Sequence, residues 1–137
     1  SAEIVVVGMG RVGSGAYDYL RQQHENIVGV DSDPAKIESN IRQGRRVAYA
    51  DAEDPSFWLL LNIDRLRAIM LAVPDLEAKL TAARALRDSG TIPAGVDEPA
   101  LYRMRSGGAV VPRGLSGLEV CKDVLFDRAL TVNLPVR

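Results

Sequence analysis

The chain is 137 residues long, 47% hydrophobic and 26% charged, with 17 Lys and Arg against 18 Asp and Glu. Those proportions fit one soluble globular domain, and the near-balance of charge argues against a nucleic-acid groove, which needs a basic surplus on one face. A single cysteine, Cys121, excludes a disulfide framework and a Cys-ligated zinc site.

No apolar run approaches the roughly 20 residues that span a bilayer, and the run behind Ser1-Ala2 is too short for a secretory signal. Ser1 stands where an initiator Met would, so a piece of a longer chain is expected. Residues 4–7, IVVV, are β-branched without polar alternation, the pattern of a strand buried on both faces. A helix follows with Ala16, Tyr17 and Leu20 on its inner face. Ile27 to Val30 is a second buried strand, ending at Asp31. Asp33-Pro34 opens a helix as N-cap and first-turn proline, Ile37 and Ile41 form its inner stripe, and Gly44 closes it.

The pattern then repeats. Val47 to Ala50 is the third strand, and Asp54-Pro55 starts a helix through Phe57, Trp58, Leu60 and Leu61. Ala68 to Val73 is the fourth and most apolar strand. Leu76, Leu80, Ala83 and Leu86 mark a helix ending near Gly90. A fifth strand is expected at Ile92 to Val96, a short helix around Pro99 to Ser106, and a weak sixth strand at Ala109 to Val111. Leu118, Cys121, Val124 and Leu125 share one face of a final helix, and Thr131 to Arg137 carries no assignable pattern. Alternating strands and helices require crossover connections, hence a parallel sheet covered on both faces. The expected fold is a single α/β domain over residues 1–137, a three-layer, Rossmann-like, doubly wound sheet of order 3-2-1-4-5-6.

Gly8-Met9-Gly10-Arg11-Val12-Gly13 is a GxGxxG. The string alone occurs by chance, but here a buried strand ends at Gly8 and a helix begins inside the motif. Gly8 permits the tight turn, Gly10 lets a phosphate approach the backbone, and Gly13 lets helix and strand pack closely. The phosphate would sit on unpaired N–H groups at the positive end of the helix. Arg11 either adds a phosphate contact or is solvated. Asp31, 18 residues beyond Gly13, can accept hydrogen bonds from both ribose hydroxyls, with Ser32 beside it. Its charge would repel a 2′-phosphate, favouring AMP, ADP, ATP or NAD(H) over NADP. The competing reading is a tight turn without a ligand, with Asp31 capping the helix at Pro34.

The stretch VDSDPAKIESNIRQGRRVAYADAEDPSFW resembles the part of KTN domains (TrkA-N or RCK N-terminal domains) that runs from the ribose acid to a Gly-Asp-Ala turn, read here as Ala50-Asp51-Ala52. AIMLAVPDLEA resembles their fourth strand and its exit. The resemblance covers about residues 3–128 and is nearest to Kef-type, glutathione-regulated potassium efflux systems, on GMGRVG, GAYDYL and DPSFW. Gly95 departs from the Arg of many Kef-type domains. The resemblance implies a regulatory domain that binds an adenine nucleotide or NAD(H), dimerises, and signals to a membrane potassium efflux transporter or channel. It places Asp51 and Ala52 beside the adenine, and Val73 and Pro74 along the ribose and phosphates. It also implies a cytoplasmic location, at the inner face of the membrane when attached to the transporter.

A dehydrogenase would need a second, substrate-binding domain and an acid or base near the nicotinamide. His24, the only histidine, falls at the end of the sheet away from the crevice, and Cys121 reads as core. Tyr17 is followed four residues on by Arg21 rather than Lys. Arg42, Arg45 and Arg46 read as a solvated basic face. No nucleophile, base and oxyanion set assembles, and no metal site is expected. The expectation is a non-enzyme, with the cofactor domain of a truncated NAD-dependent dehydrogenase as the alternative and a ligand-free interface domain as a third reading. A homodimer is expected from the resemblance, through the last helix with Leu118, Val124, Leu125 and Phe126.

Overall fold

A computed structural model of the chain describes residues 2–23, 26–60 and 66–73 with their side chains, and three further strands by their backbone. The elements are β1 (Ile4–Val7), α1 (Arg11–Gln22), β2 (Ile27–Asp31), α2 (Pro34–Arg42), β3 (Val47–Tyr49), α3 (Pro55–Leu60), β4 (Ala68–Leu71), β5 (Ala100–Met104), β6 (Ala109–Pro112) and β7 (Phe126–Asn133). The expected helix over Leu76–Leu86 and strand over Ile92–Val96 lie outside the described residues, as do His24, Pro74 and the stretch 113–125 with Cys121.

β1 is the centre of a parallel Rossmann-like half-sheet. It pairs with β2 on one side (Ile4↔Ile27, Val7↔Val30) and β4 on the other (Ile4↔Ala68, Val7↔Leu71), and β2 pairs with β3. All four residues of β1 and of β4 are buried, as strands covered on both faces must be. Alternation splits them between two cores. Ile4, Val6, Ala68 and Met70 pack with Ala16, Tyr17 and Leu20 of α1. Val5, Val7, Ile69 and Leu71 pack with Trp58 of α3. Helices therefore lie on both faces, and the order 3-2-1-4 is as expected.

Beyond β4 the sheet departs from the expected 3-2-1-4-5-6. Among the described strands the order is β3-β2-β1-β4-β6-β5-β7. β6 runs antiparallel to β4 (Ala68↔Pro112, Leu71↔Ala109), and β5 runs antiparallel to β6 and to β7. The segment expected to be a helix around Pro99–Ser106 contains β5. Only Arg105-Ser106-Gly107-Gly108 separates it from β6, and a connection that short joins antiparallel strands, because a parallel crossover needs a dozen residues or more. Phe126, expected on the final helix, opens β7, which also takes in the unassigned Thr131.

The helix boundaries follow their caps. Asp33 accepts the Ala35 N–H at 2.9 Å with Pro34 in the first turn, and Gly44 (φ +81) ends the α2 segment. The inner face of α2 is rotated from the expected stripe. Asn40 is buried, Ile37 half-buried, and Ile41 58% exposed. One residue along a helix is a 100° turn, so burying Asn40 swings Ile41 outward. At the end of α3, Leu60 is 86% exposed, while Trp58 is fully buried.

Arg45 is also not the solvated residue expected. Its side chain is 12% exposed and forms a two-pronged pair with Asp18 of α1, Nε to Oδ1 at 2.9 Å and Nη2 to Oδ2 at 2.8 Å. That hydrogen bonding, with burial opposing it, holds the Asp18 carboxyl below its ordinary range. A lowered folded pKa contributes stability in full above the unfolded value and loses it as pH falls through the folded one. Wild type should therefore exceed Asp18→Asn slightly in urea midpoint at neutral pH, with the gap closing below about pH 4. Asp18 is more than a third exposed, so screening keeps the effect well under about 1 kcal/mol. A gap that does not change with pH would sink this account.

Candidate functional site

The loop between β1 and α1 is held by close backbone contacts. Gly8 has φ +91, in the left-handed region, and donates its N–H to the Val30 carbonyl at 2.8 Å. A Cβ on Gly13 would fall on the carbonyl oxygen of Gly8, so only glycine lets α1 start this near β1. At Gly10 the corresponding space is open, with Lys36 Nζ as the nearest atom at 3.8 Å. The side of the loop that a phosphate would approach is thus free of side-chain bulk.

Met9 is the anchor of the loop. Its side chain is buried against Gly29, where a Cβ would collide with the thioether. Its N–H donates to Asp31 Oδ2 at 2.8 Å, and its carbonyl accepts from Asn40 Nδ2 at 2.9 Å. The other Asp31 oxygen, Oδ1, accepts the Asp33 N–H at 2.9 Å. Asp31 therefore ties the glycine loop to the start of α2, while the capping side chain of that helix is Asp33. Each carboxylate oxygen keeps a further lone pair for another donor. Among the described residues no acceptor pairs with the N–H groups of Gly10, Arg11, Val12 and Gly13, the orphan donors that a helix start leaves.

A pocket of about 170 Å³ opens beside this loop at the carboxyl ends of the strands. Six of the expected residues line it: Gly8, Asp31, Ser32, Asp51, Ala52 and Val73. Met9, Gly10, Arg11, Val12 and Gly13 are not in its walls; Arg11 is exposed at the start of α1. Pro74 lies outside the described residues. Ala50, the first residue of the turn that resembles Gly-Asp-Ala, completes the lining with Val7 and Glu53, which carry no such sequence signal. With Asp31, Asp51 and Glu53 in its wall, the pocket is acidic.

The turn on the far side of the pocket is fixed from below. Ala50 donates its N–H to the Asp31 carbonyl at 3.0 Å, and Asp51 Oδ1 accepts the Glu53 N–H at 2.9 Å. Buried Trp58 donates its indole N–H to the Ala52 carbonyl at 2.8 Å, satisfying a donor that burial would otherwise orphan. The sequence places Trp58 on a helix but not as the clamp of this turn, because its partner is a backbone carbonyl with no signature. Among the described residues no group of His, Cys, Asp and Glu is arranged to hold a metal, and no helix is long and apolar enough to cross a membrane.

The TrkA-N domain model matches residues 4–103, which include the glycine loop, Asp31 and the Asp51 turn. The chain belongs to the TrkA-N family. Over 98% of its length this TrkA-N chain is 29% identical to "Putative K(+) efflux antiporter KefB" of Alkalimonas amylolytica, and it spans 21% of that protein. It is 28% identical to the solved NAD(P)-binding domain of an exopolyphosphatase-related protein from Archaeoglobus fulgidus, with a TM-score of 0.63 over 65% of this chain and 67% of that one. The TrkA-N domain of inner membrane protein ybaL from Escherichia coli shares the fold, at 22% identity and a TM-score of 0.54 over 66% of this chain and 67% of that one.

Proposed function

We propose that this TrkA-N domain is a regulatory module that binds an adenine nucleotide or NAD(H) and controls a potassium efflux system. The observation that carries the reading is the convergence of Gly8, Asp31, Ser32, Asp51, Ala52 and Val73 on one pocket beside the α1 start, whose first N–H groups have no acceptor among the described residues. The adenosine half occupies the pocket, its ribose hydroxyls donating to the remaining lone pairs of Asp31 and its adenine lying against Asp51 and Ala52. The phosphates extend to Gly10–Gly13, where the N–H groups and the helix dipole favour negative charge. Arg11 stands at that end as a further phosphate contact. The Asp31 carboxylate at the ribose, in a pocket whose wall also carries Asp51 and Glu53, disfavours the 2′-phosphate of NADP.

The transport assignment rests on the KefB relative, which aligns with nearly all of this chain. The same alignment favours regulation over the cofactor domain of a truncated dehydrogenase. The domain acts from the cytoplasmic face on a membrane transporter or channel, in the same polypeptide or as a separate subunit, and works as a homodimer. Regulation requires that the nucleotide bind one arrangement of the dimer more tightly than the other.

A thermal-shift panel with AMP, ADP, ATP, NAD⁺, NADH and NADPH tests the ligand. At 100 times its dissociation constant a ligand stabilises the fold by about 2.7 kcal/mol, a rise on the order of 5–10 °C for a domain of this size. A rise with adenine nucleotides or NAD(H), and none with NADPH, is expected. A melting temperature unmoved by all six compounds would overturn the nucleotide reading.

A further inference from the structure

Asn40 is the one buried residue of α2, 3% exposed, and it lies 31 positions from the glycine loop it touches. A buried amide is costly unless its polar atoms are paired, and those of Asn40 are. Nδ2 donates to the Lys36 carbonyl at 2.7 Å and to the Met9 carbonyl at 2.9 Å, and Oδ1 accepts from Arg45 Nη1 at 3.0 Å. The bonds to Lys36 and Arg45 stay within the α2 segment. The bond to Met9 reaches across to the motif.

That bond has a directional consequence. The peptide joining Met9 and Gly10 is planar and trans, so its N–H points opposite to its carbonyl. Drawing the Met9 carbonyl toward α2 therefore turns the Gly10 N–H away from α2. Asp31 fixes the preceding peptide through the Met9 N–H. With both peptides held, Gly10 N–H is presented before any ligand arrives, and no ordering cost falls on binding.

We propose that Asn40 is a positioning residue for the phosphate end of the site, orienting the Gly10 N–H through the Met9 carbonyl. The proposal rests on the nucleotide reading given above. It assigns Asn40 no role at the ribose or adenine, whose walls come from β1, β2, the turn at 50–53 and Val73.

The test is isothermal titration of wild type, Asn40→Ala and Arg45→Ala with adenosine and with ADP. Adenosine reports the pocket, and ADP adds the glycine loop. In Asn40→Ala the ADP affinity should fall roughly three- to tenfold while adenosine affinity is unchanged. Arg45→Ala, which removes the Asp18 pair and the donor to Asn40 Oδ1 but keeps the Nδ2 donor to the Met9 carbonyl, should change the ADP-to-adenosine ratio less than Asn40→Ala does. If Asn40→Ala does not fold, Asn40→Leu, which fills the space without a donor, takes its place. An unchanged ratio in the Asn40 variant, whether both ligands weaken or neither does, overturns the proposal. Wild type binding neither ligand overturns the nucleotide reading itself, and this proposal with it, an outcome distinct from binding with an unaltered ratio.

Discussion

Gly13→Ala is expected to destabilise the domain by about 3 kcal/mol or more, enough to abolish folding if the wild type is of ordinary stability. The added Cβ would fall on the Gly8 carbonyl oxygen and lie 3.3 Å from the Ala72 Cβ. Neither neighbour can step aside, because Gly8 is held by its N–H bond to Val30 and Ala72 by its bond to the Val7 carbonyl. α1 would have to lift from β1, opening the core that Ala16, Tyr17 and Leu20 fill. Gly15→Ala is the control on the same helix. Gly15 is exposed, and a Cβ there meets nothing within 4 Å, so alanine should stabilise by about 0.5–1 kcal/mol. Urea denaturation followed by far-UV circular dichroism reads both. Equal midpoints for the two variants would show that the near-contact of α1 and β1 is not what requires glycine.

Asp31→Ala is expected to cost about 2–4 kcal/mol of stability before any ligand is added. Two backbone N–H groups lose a charged acceptor, and one of them, on Met9, lies in the core. An amide left unpaired there carries its desolvation cost in full. The consequence for the nucleotide reading is practical. A weakened thermal response in Asp31→Ala mixes loss of ribose contacts with loss of the loop they sit beside. Asp31→Asn separates them, since its one remaining oxygen can still accept from a backbone N–H while the charge is gone. If Asp31 contacts ribose, Asp31→Asn should tolerate NADPH relatively better than wild type does, measured as a ratio of dissociation constants for NADPH and NADH. An Asp31→Ala variant as stable as wild type would mean that the Met9 and Asp33 contacts contribute little.

Much of the site was legible in the chain because its signals are local. A β-branched run ending on a glycine, two further glycines at fixed spacing, and an acid closing the second strand each report a backbone requirement that no other residue type meets as well. The caps Asp33-Pro34 and Asp54-Pro55 are equally local, and each helix begins where they stand. What the sequence determined alone was therefore the βαβ half around β1, and it pointed to six residues of the pocket wall, Gly8 among them.

Tertiary structure decided the rest. Asn40 and Trp58 act on carbonyls of Met9 and Ala52, and a backbone carbonyl leaves no mark in a sequence pattern. Asp31 also clamps the glycine loop, a role the sequence pattern does not carry because its partner N–H on Met9 is 22 positions away. The direction of β6 was likewise a question of which strand fills the open edge of β4. The parallel rule that holds for β1 to β4 assumes a crossover between neighbours, and β5 and β6 are joined by four residues. Pairing at an edge is settled by connection length and by the strands available to complete the hydrogen-bond ladder, both properties of the folded sheet rather than of any one segment.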